Sequence, residues 1–233
     1  VNGIDADLYN PETDPLIPHH FNVSDLSGKA ANKAALQERL GLPVNPDVAM
    51  IGMVSRLTDQ KGFQLVEERM EELLQAEVQV VLLGTGEPQF EHSFRYFESR
   101  YPDKMKSLIT FDLGLAQQIY ASCDFFLMPS AFEPCGLSQL MAMRYGTLPI
   151  VHETGGLRDT VQPYNQYTGE GTGYSFNRFD GWTMLQTIYY ALDVYYNRPG
   201  AHKQLVEQAM TRDFSWTGPT KEYLALYHSL LQG

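Results

Sequence analysis

Short runs of uninterrupted apolar residues recur along the chain, separated by stretches in which apolar residues return every three or four positions. The runs are VAMIGMV (48–54), VQVVLLG (78–84), SLITF (107–111), FFLMPS (125–130), TLPIV (147–151) and the shorter GYSF (173–176). The helical stretches include GKAANKAALQERLGL (28–42), stopped by Gly41, then FQLVEERMEELLQ (63–75), LAQQIYAS (115–122), LSQLMAMRYG (137–146) and WTMLQTIYYALDVYYN (182–197). Continuous Val, Ile and Leu predict strands buried on both faces, as in a parallel sheet. Strands alternating with helices predict a doubly wound α/β domain, a Rossmann-like sheet with helices on both faces. Residues 1–28, rich in Pro, Asp and Asn, read as loop, and the chain past Asn197 reads as helix to its end. In KEYLALYHSLL (221–231), Tyr223, Tyr227 and Leu230 share one helical face and predict a docking stripe.

Composition narrows the picture without changing it. With 233 residues, 43% hydrophobic and 19% charged, the chain reads as globular, one large domain or two small ones, with no apolar run of membrane-spanning length. A net charge of -11 argues against general binding of nucleic acid or anionic membranes, so an anionic ligand needs a local basic site. The two cysteines, Cys123 and Cys135, lack zinc spacing, and Cys123 reads as a buried small hydrophobe. The six histidines are scattered, and the adjacent His19 and His20 do not share a helix face, so no metal site is expected. The chain starts at Val1 inside VNGIDADLYNP and is expected to be a piece of a longer protein in a reducing, cytoplasmic setting.

Ligands of doubly wound sheets bind beyond the carboxyl ends of the strands, so the loops that follow the strands carry the candidate chemistry. SRLTDQKG (55–62) places Arg56 and Lys61 five apart, able to clamp a diphosphate as fork and point charge, or to be two solvated cations. GTGEP (84–88) offers two glycines for close backbone approach, or a plain tight turn. SAFEPCG (130–136) sets Glu133 just ahead of a helix start, where the amides of Gly136, Leu137 and Ser138 are expected to point outward. A carboxylate beside free amides suits a hydroxyl-rich ligand, and a carboxylate that merely caps the helix is the alternative. HETGGLRDTV (152–161) opens a helix at Gly155 and Gly156, either an anion site or a flexible turn. Four strand ends with such chemistry predict a nucleotide-sugar site.

The ordered set VNGID, SRLTDQKG, FEPCGLSQLMAMRYGTLPIVHETGGLRDTV, GTGYSF and FSWTGPTKEYLALY covers nearly the whole chain. It resembles the C-terminal, nucleotide-sugar-binding domain of the bacterial glycogen synthase and plant starch synthase family. The resemblance implies one half of a GT-B glycosyltransferase, two Rossmann-like domains facing a cleft. The chain would then be a single domain (1–233), with 1–28 as interdomain segment and 213–233 as a terminal helix packing toward an absent N-terminal domain. It implies a retaining, metal-independent transfer of glucose from ADP-glucose to the non-reducing end of an α-1,4-glucan, which reaches the site through that other domain. By the same resemblance, Arg56 and Lys61 bind the diphosphate and Glu133 the donor glucose, together the catalytic residues. The backbone around Cys135, Gly136 and Leu137 holds the same sugar. Thr154, Gly155, Gly156 and Leu157 line the phosphate and ribose region, and Phe111 stacks on adenine.

Many GT-B enzymes carry a second glutamate eight positions after the first. Here it is Met141, as in the synthases, while His152 stands where a basic residue is expected. No metal and no further cofactor is expected. The alternatives are a GT-B transferase using a UDP-sugar and a nucleotide-binding module without catalysis. A dehydrogenase is disfavoured because SRLTDQKG is not a G-x-G-x-x-G fingerprint.

Overall fold

The computed structural model describes residues 2–231. Val1, Gln232 and Gly233, which end the two expected terminal segments, lie outside them. The elements run α1 (Ser27–Leu40), β1 (Ala49–Val54), α2 (Phe63–Gln75), β2 (Val78–Leu83), α3 (Pro88–Arg100), β3 (Met105–Leu108), α4 (Leu113–Ser122), β4 (Phe125–Met128) and α5 (Ser138–Arg144). They continue with β5 (Leu148–His152), α6 (Gly155–Thr160), β6 (Tyr174–Phe176), α7 (Gly181–Asn197), α8 (Pro199–Thr211) and α9 (Thr217–Leu231).

The six strands form one parallel sheet in the order β3-β2-β1-β4-β5-β6, so the expected α/β architecture is borne out. Helices α2, α3 and α7 pack together on one face, and α1, α4, α5 and α8 on the other. Residues of β1 and β2 are almost all buried, as strands covered on both sides must be. Pairing of β1 with β2 runs the length of both strands, from Ala49–Val78 to Val54–Leu83, whereas β1 meets β4 only at Ile51–Phe125 and Gly52–Phe126. A Cβ at Gly52 would lie 2.6 Å from Ile119 Cγ2 and 2.9 Å from Cys123 Sγ, so that glycine lets α4 sit directly on β1. Cys123 is fully buried there, and burial pushes its thiol up to about 12.

Several elements depart from the pattern. Helix α3 was not expected, yet Phe90, Phe94 and Phe97 recur at helical spacing and are buried; Phe90 and Phe94 close on Phe63 of α2. Strand β3 starts two residues earlier than expected and ends at Leu108, which releases Phe111 into a loop. The helical tail is interrupted at residues 212–216, because the chain there pairs with the opposite terminus: Ile4 N donates to Phe214 O at 2.8 Å. The stretch expected as loop before α1 is tied down. Ile17 and Phe21 join the core, and buried Asp14 accepts from Gln117 Nε2 (2.7 Å), Tyr145 Oη (2.5 Å) and Leu16 N (2.8 Å). The expected docking stripe Tyr223, Tyr227 and Leu230 on α9 is largely uncovered by the described residues, although Tyr223 Oη donates to Asn2 Oδ1 at 3.5 Å.

Candidate active site

The strand order reverses between β1 and β4, and a crevice opens beyond their carboxyl ends. It consists of a cavity of about 290 Å³ beside a smaller one of about 60 Å³. Val54 and Ser55, at the end of β1, line both.

The smaller cavity holds the predicted Lys61 and Glu133, 72 positions apart in sequence. Lys61 Nζ lies 2.6 Å from Glu133 Oε2, with the side chains only 19% and 12% exposed. Ser130 Oγ donates to the same oxygen at 3.2 Å. Two local features bring the partners together. The single 3-10 turn Asp59–Lys61 ends at Gly62 in the left-handed region (φ 80°), and a Cβ there would sit 2.0 Å from Pro129 O. Glycine thus allows the loop after β1 to touch the loop after β4, and Ala131 N donates to Gln60 O across the seam at 2.9 Å. On the far wall, Gly136 (φ 64°) turns the chain into α5, and the amides of Gly136, Leu137 and Ser138 have no acceptor among the described residues. Free amides, the two remaining protons of the Lys61 ammonium and the unpartnered Glu133 Oε1 form a set of donors plus one acceptor. Such a set can hold an anion and an adjoining hydroxyl.

The two glycines opening α6 also serve close packing. Gly156 N donates to Glu133 O at 3.0 Å, so that amide is not free for an anion. A Cβ would lie 1.8 Å from Cys135 O at Gly156 and 2.2 Å from Glu133 O at Gly155 (φ 43°). The pair therefore lets α6 press against the Glu133 loop and hold it from behind. Thr154 is half-buried and caps the turn through its carbonyl, which accepts from Leu157 N at 3.0 Å. The Leu157 side chain is fully buried, so only its backbone could face a ligand. His152 is half-buried. Its Nδ1 donates to Ser130 O at 2.8 Å, and its ring packs against Phe176 and Phe179. Cys135 is half-buried, with its Sγ 3.7 Å from Asn2 Nδ2.

The larger cavity collects the remaining candidates. Arg56 is exposed on its wall and has no hydrogen-bond or ion-pair partner among the described residues. Phe111 stands at the rim, 81% exposed. The glycines of GTGEP close against protein: a Cβ at Gly84 would meet Ser55 O at 1.8 Å, and one at Gly86 would meet Leu57 O at 2.2 Å. Gly84 and Thr85 still line the cavity. Tyr9, Gln117, Tyr120 and Met141 also line it and were not foreseen as lining residues. Tyr9 comes from the segment read as loop and carries no local signal, whereas Met141 drew attention only as a missing glutamate. Among the described residues, no group of three or more His, Cys, Asp or Glu is placed to hold a metal ion.

Comparison with known proteins gives this geometry a context. The profile described as "Glycosyl transferases group 1" matches residues 37–181, which include Arg56, Lys61, Glu133 and the α6 glycines. The chain is 64% identical over 231 residues to a glycogen synthase of Streptococcus sanguinis and 62% identical to one of Streptococcus gordonii. Each alignment covers 99% of this chain and 48% of the relative, so the chain spans about half the length of the curated relatives it matches. Among solved structures, the catalytic domain of starch synthase IV from Arabidopsis thaliana, bound to ADP and acarbose, superposes with a TM-score of 0.93 at 36% identity. That match covers 100% of this chain and 49% of the other. The resemblance to glycogen and starch synthases is thereby borne out, and the chain belongs to the glycosyl transferases group 1 family.

Proposed function

We propose that this chain is the donor-binding half of a GT-B glucosyltransferase that moves glucose from ADP-glucose to the non-reducing end of an α-1,4-glucan with retention of configuration. The observation that carries the proposal is the crevice at the strand-order reversal. There Lys61 and Glu133 meet at 2.6 Å beside unpaired amides, next to a cavity with room for a nucleoside. The likeness to a starch synthase described with ADP supports adenine as the base.

In this reading the nucleoside occupies the larger cavity, with Arg56 and Phe111 at its edge, and the diphosphate lies along the end of β1 toward Lys61. The glucosyl unit meets Glu133 and the backbone of Cys135, Gly136 and Leu137. Backbone of Thr154, Gly155, Gly156 and Leu157 borders the phosphate and ribose. Cleavage of the sugar–phosphate bond builds negative charge on the departing ADP, and Arg56 and Lys61 complement that charge as it forms. Glu133 stays a hydrogen-bond acceptor for the sugar. The acceptor glucan enters from a second domain that makes up the other half of the cleft. In this reading the apolar face of α9 and the rim residues Phe111 and Leu137 face that domain, and their exposure supports it. Residues 1–28 and 213–233 lead toward it, and the enzyme works in the cytoplasm without a metal.

Calorimetric titration with ADP and with UDP tests the reading. Binding of ADP in preference to UDP, lost in Arg56→Ala, is the expected result. Preference for UDP would assign a different donor to the same site, and binding of neither would overturn the assignment.

A further inference from the structure

We propose that Ser130 is a positioning residue for Glu133, fixing one carboxylate oxygen so that the other faces a hydroxyl of the donor sugar. The proposal rests on the donor-site reading above. Ser130 directly follows Pro129 at the mouth of β4, and the residue is only 2% exposed. Its hydroxyl lies 3.2 Å from Glu133 Oε2, the same oxygen that takes Lys61 Nζ at 2.6 Å. Glu133 Oε1 has no partner among the described residues. Two donors thus converge on one oxygen, and the second oxygen is left to a ligand.

Two donors are needed for this. The terminal torsion of a glutamate is broad and roughly two-fold, and a lysine ammonium is a mobile point charge on a flexible stem. Lys61 by itself therefore attracts the carboxylate without setting its plane. Ser130 supplies the second direction, and its own place is set by two neighbouring segments. Its carbonyl accepts from His152 Nδ1 at the end of β5, and the next amide, Ala131 N, donates to Gln60 O in the loop after β1. The His152 ring is in turn packed against Phe176 and Phe179. When a diphosphate draws Lys61 toward itself, the Ser130 contact remains on Oε2, and the carboxylate keeps its aim.

The test titrates the 233-residue chain calorimetrically with ADP and with ADP-glucose, as wild type, Ser130→Ala and Ser130→Thr. Loss of one net hydrogen bond corresponds to about fivefold. Ser130→Ala is expected to lower affinity for ADP-glucose by about that factor while leaving ADP binding unchanged, and Ser130→Thr, which keeps the hydroxyl, is expected to restore it. Equal losses for both ligands would make Ser130 a general support of the loop and overturn the proposal, as would no loss for either. If Ser130→Ala fails to fold, Ser130→Cys, with similar volume and a weak donor, must show the same selective loss. Failure of the wild type to bind ADP at all would strike the donor-site reading itself. That result is distinct from one in which ADP binds and only the glucosyl contribution is in question.

Discussion

Glu133 and Lys61 are each unremarkable in sequence, a glutamate before a helix and a lysine in a turn, and their chemistry comes from being paired in a sheltered crevice. Removing the lysine removes a cation placed where charge develops in the proposed reaction. Lys61→Ala in the longer protein that the proposal implies should therefore lower turnover by about a hundredfold, ~3 kcal/mol in barrier by analogy with the loss of an oxyanion-hole donor. Steady-state kinetics with ADP-glucose would check this, and unchanged turnover would remove Lys61 from the machinery. A second residue-scale prediction concerns stability. His202 packs against Phe125 and Tyr195, and burial lowers its pKa to about 4 from 6.5. Between those values the unfolded chain binds a proton that the folded one refuses, so stability falls as pH drops through that window. Urea unfolding should show about 2 kcal/mol less stability at pH 5 than at pH 7 from this group. In His202→Gln that component of the pH dependence should vanish.

At the scale of elements, short α6 acts as a brace. Its glycines touch the backbone of Glu133 and Cys135, so any side chain there must push the Glu133 loop outward. Gly156→Ala should weaken ADP-glucose binding more than ADP binding and lower the unfolding temperature, measurable by titration and thermal denaturation. Helix α3 shows the opposite relation between pattern and packing. Its Phe90, Phe94 and Phe97 were readable as one helical face, yet the charged residues between them masked the stripe. Phe94 is fully buried against Phe63, and Phe94→Ala should cost about 3–5 kcal/mol in urea unfolding while leaving ADP affinity intact once folded.

For the whole molecule, the chain carries its own core but leaves one apolar face open. Tyr223, Leu224, Tyr227 and Leu230 project from α9, and the curated relatives are about twice as long. Under the two-domain proposal this face is covered by the other half. Leu230→Asp should leave the unfolding temperature of the present chain unchanged and lower that of the longer protein. Equal behaviour in both would show that α9 covers nothing. The chain by itself should bind ADP and should not elongate glucan; elongation in an assay of incorporated glucose would refute the need for a second domain.

The alternation of buried runs and amphipathic stretches was enough to establish a parallel, doubly wound sheet, because burial on both faces leaves its mark on every residue of a strand. The loops that would carry chemistry were equally legible, since their position after each strand follows from the same alternation. What the sequence could not give were relations between distant segments. The β1–β4 neighbourhood joins Lys61 to Glu133, Asp14 draws residues 2–26 onto α4 and α5, and Tyr9 thereby enters the larger cavity. The glycines at 155 and 156 read as ligand-facing positions and also serve close packing, a role that depends on which backbone lies opposite. Local periodicity is written in neighbouring residues, whereas these contacts exist only after the chain has closed long loops and chosen one packing among many. Tertiary structure therefore decided which charges face each other and which amides stay open.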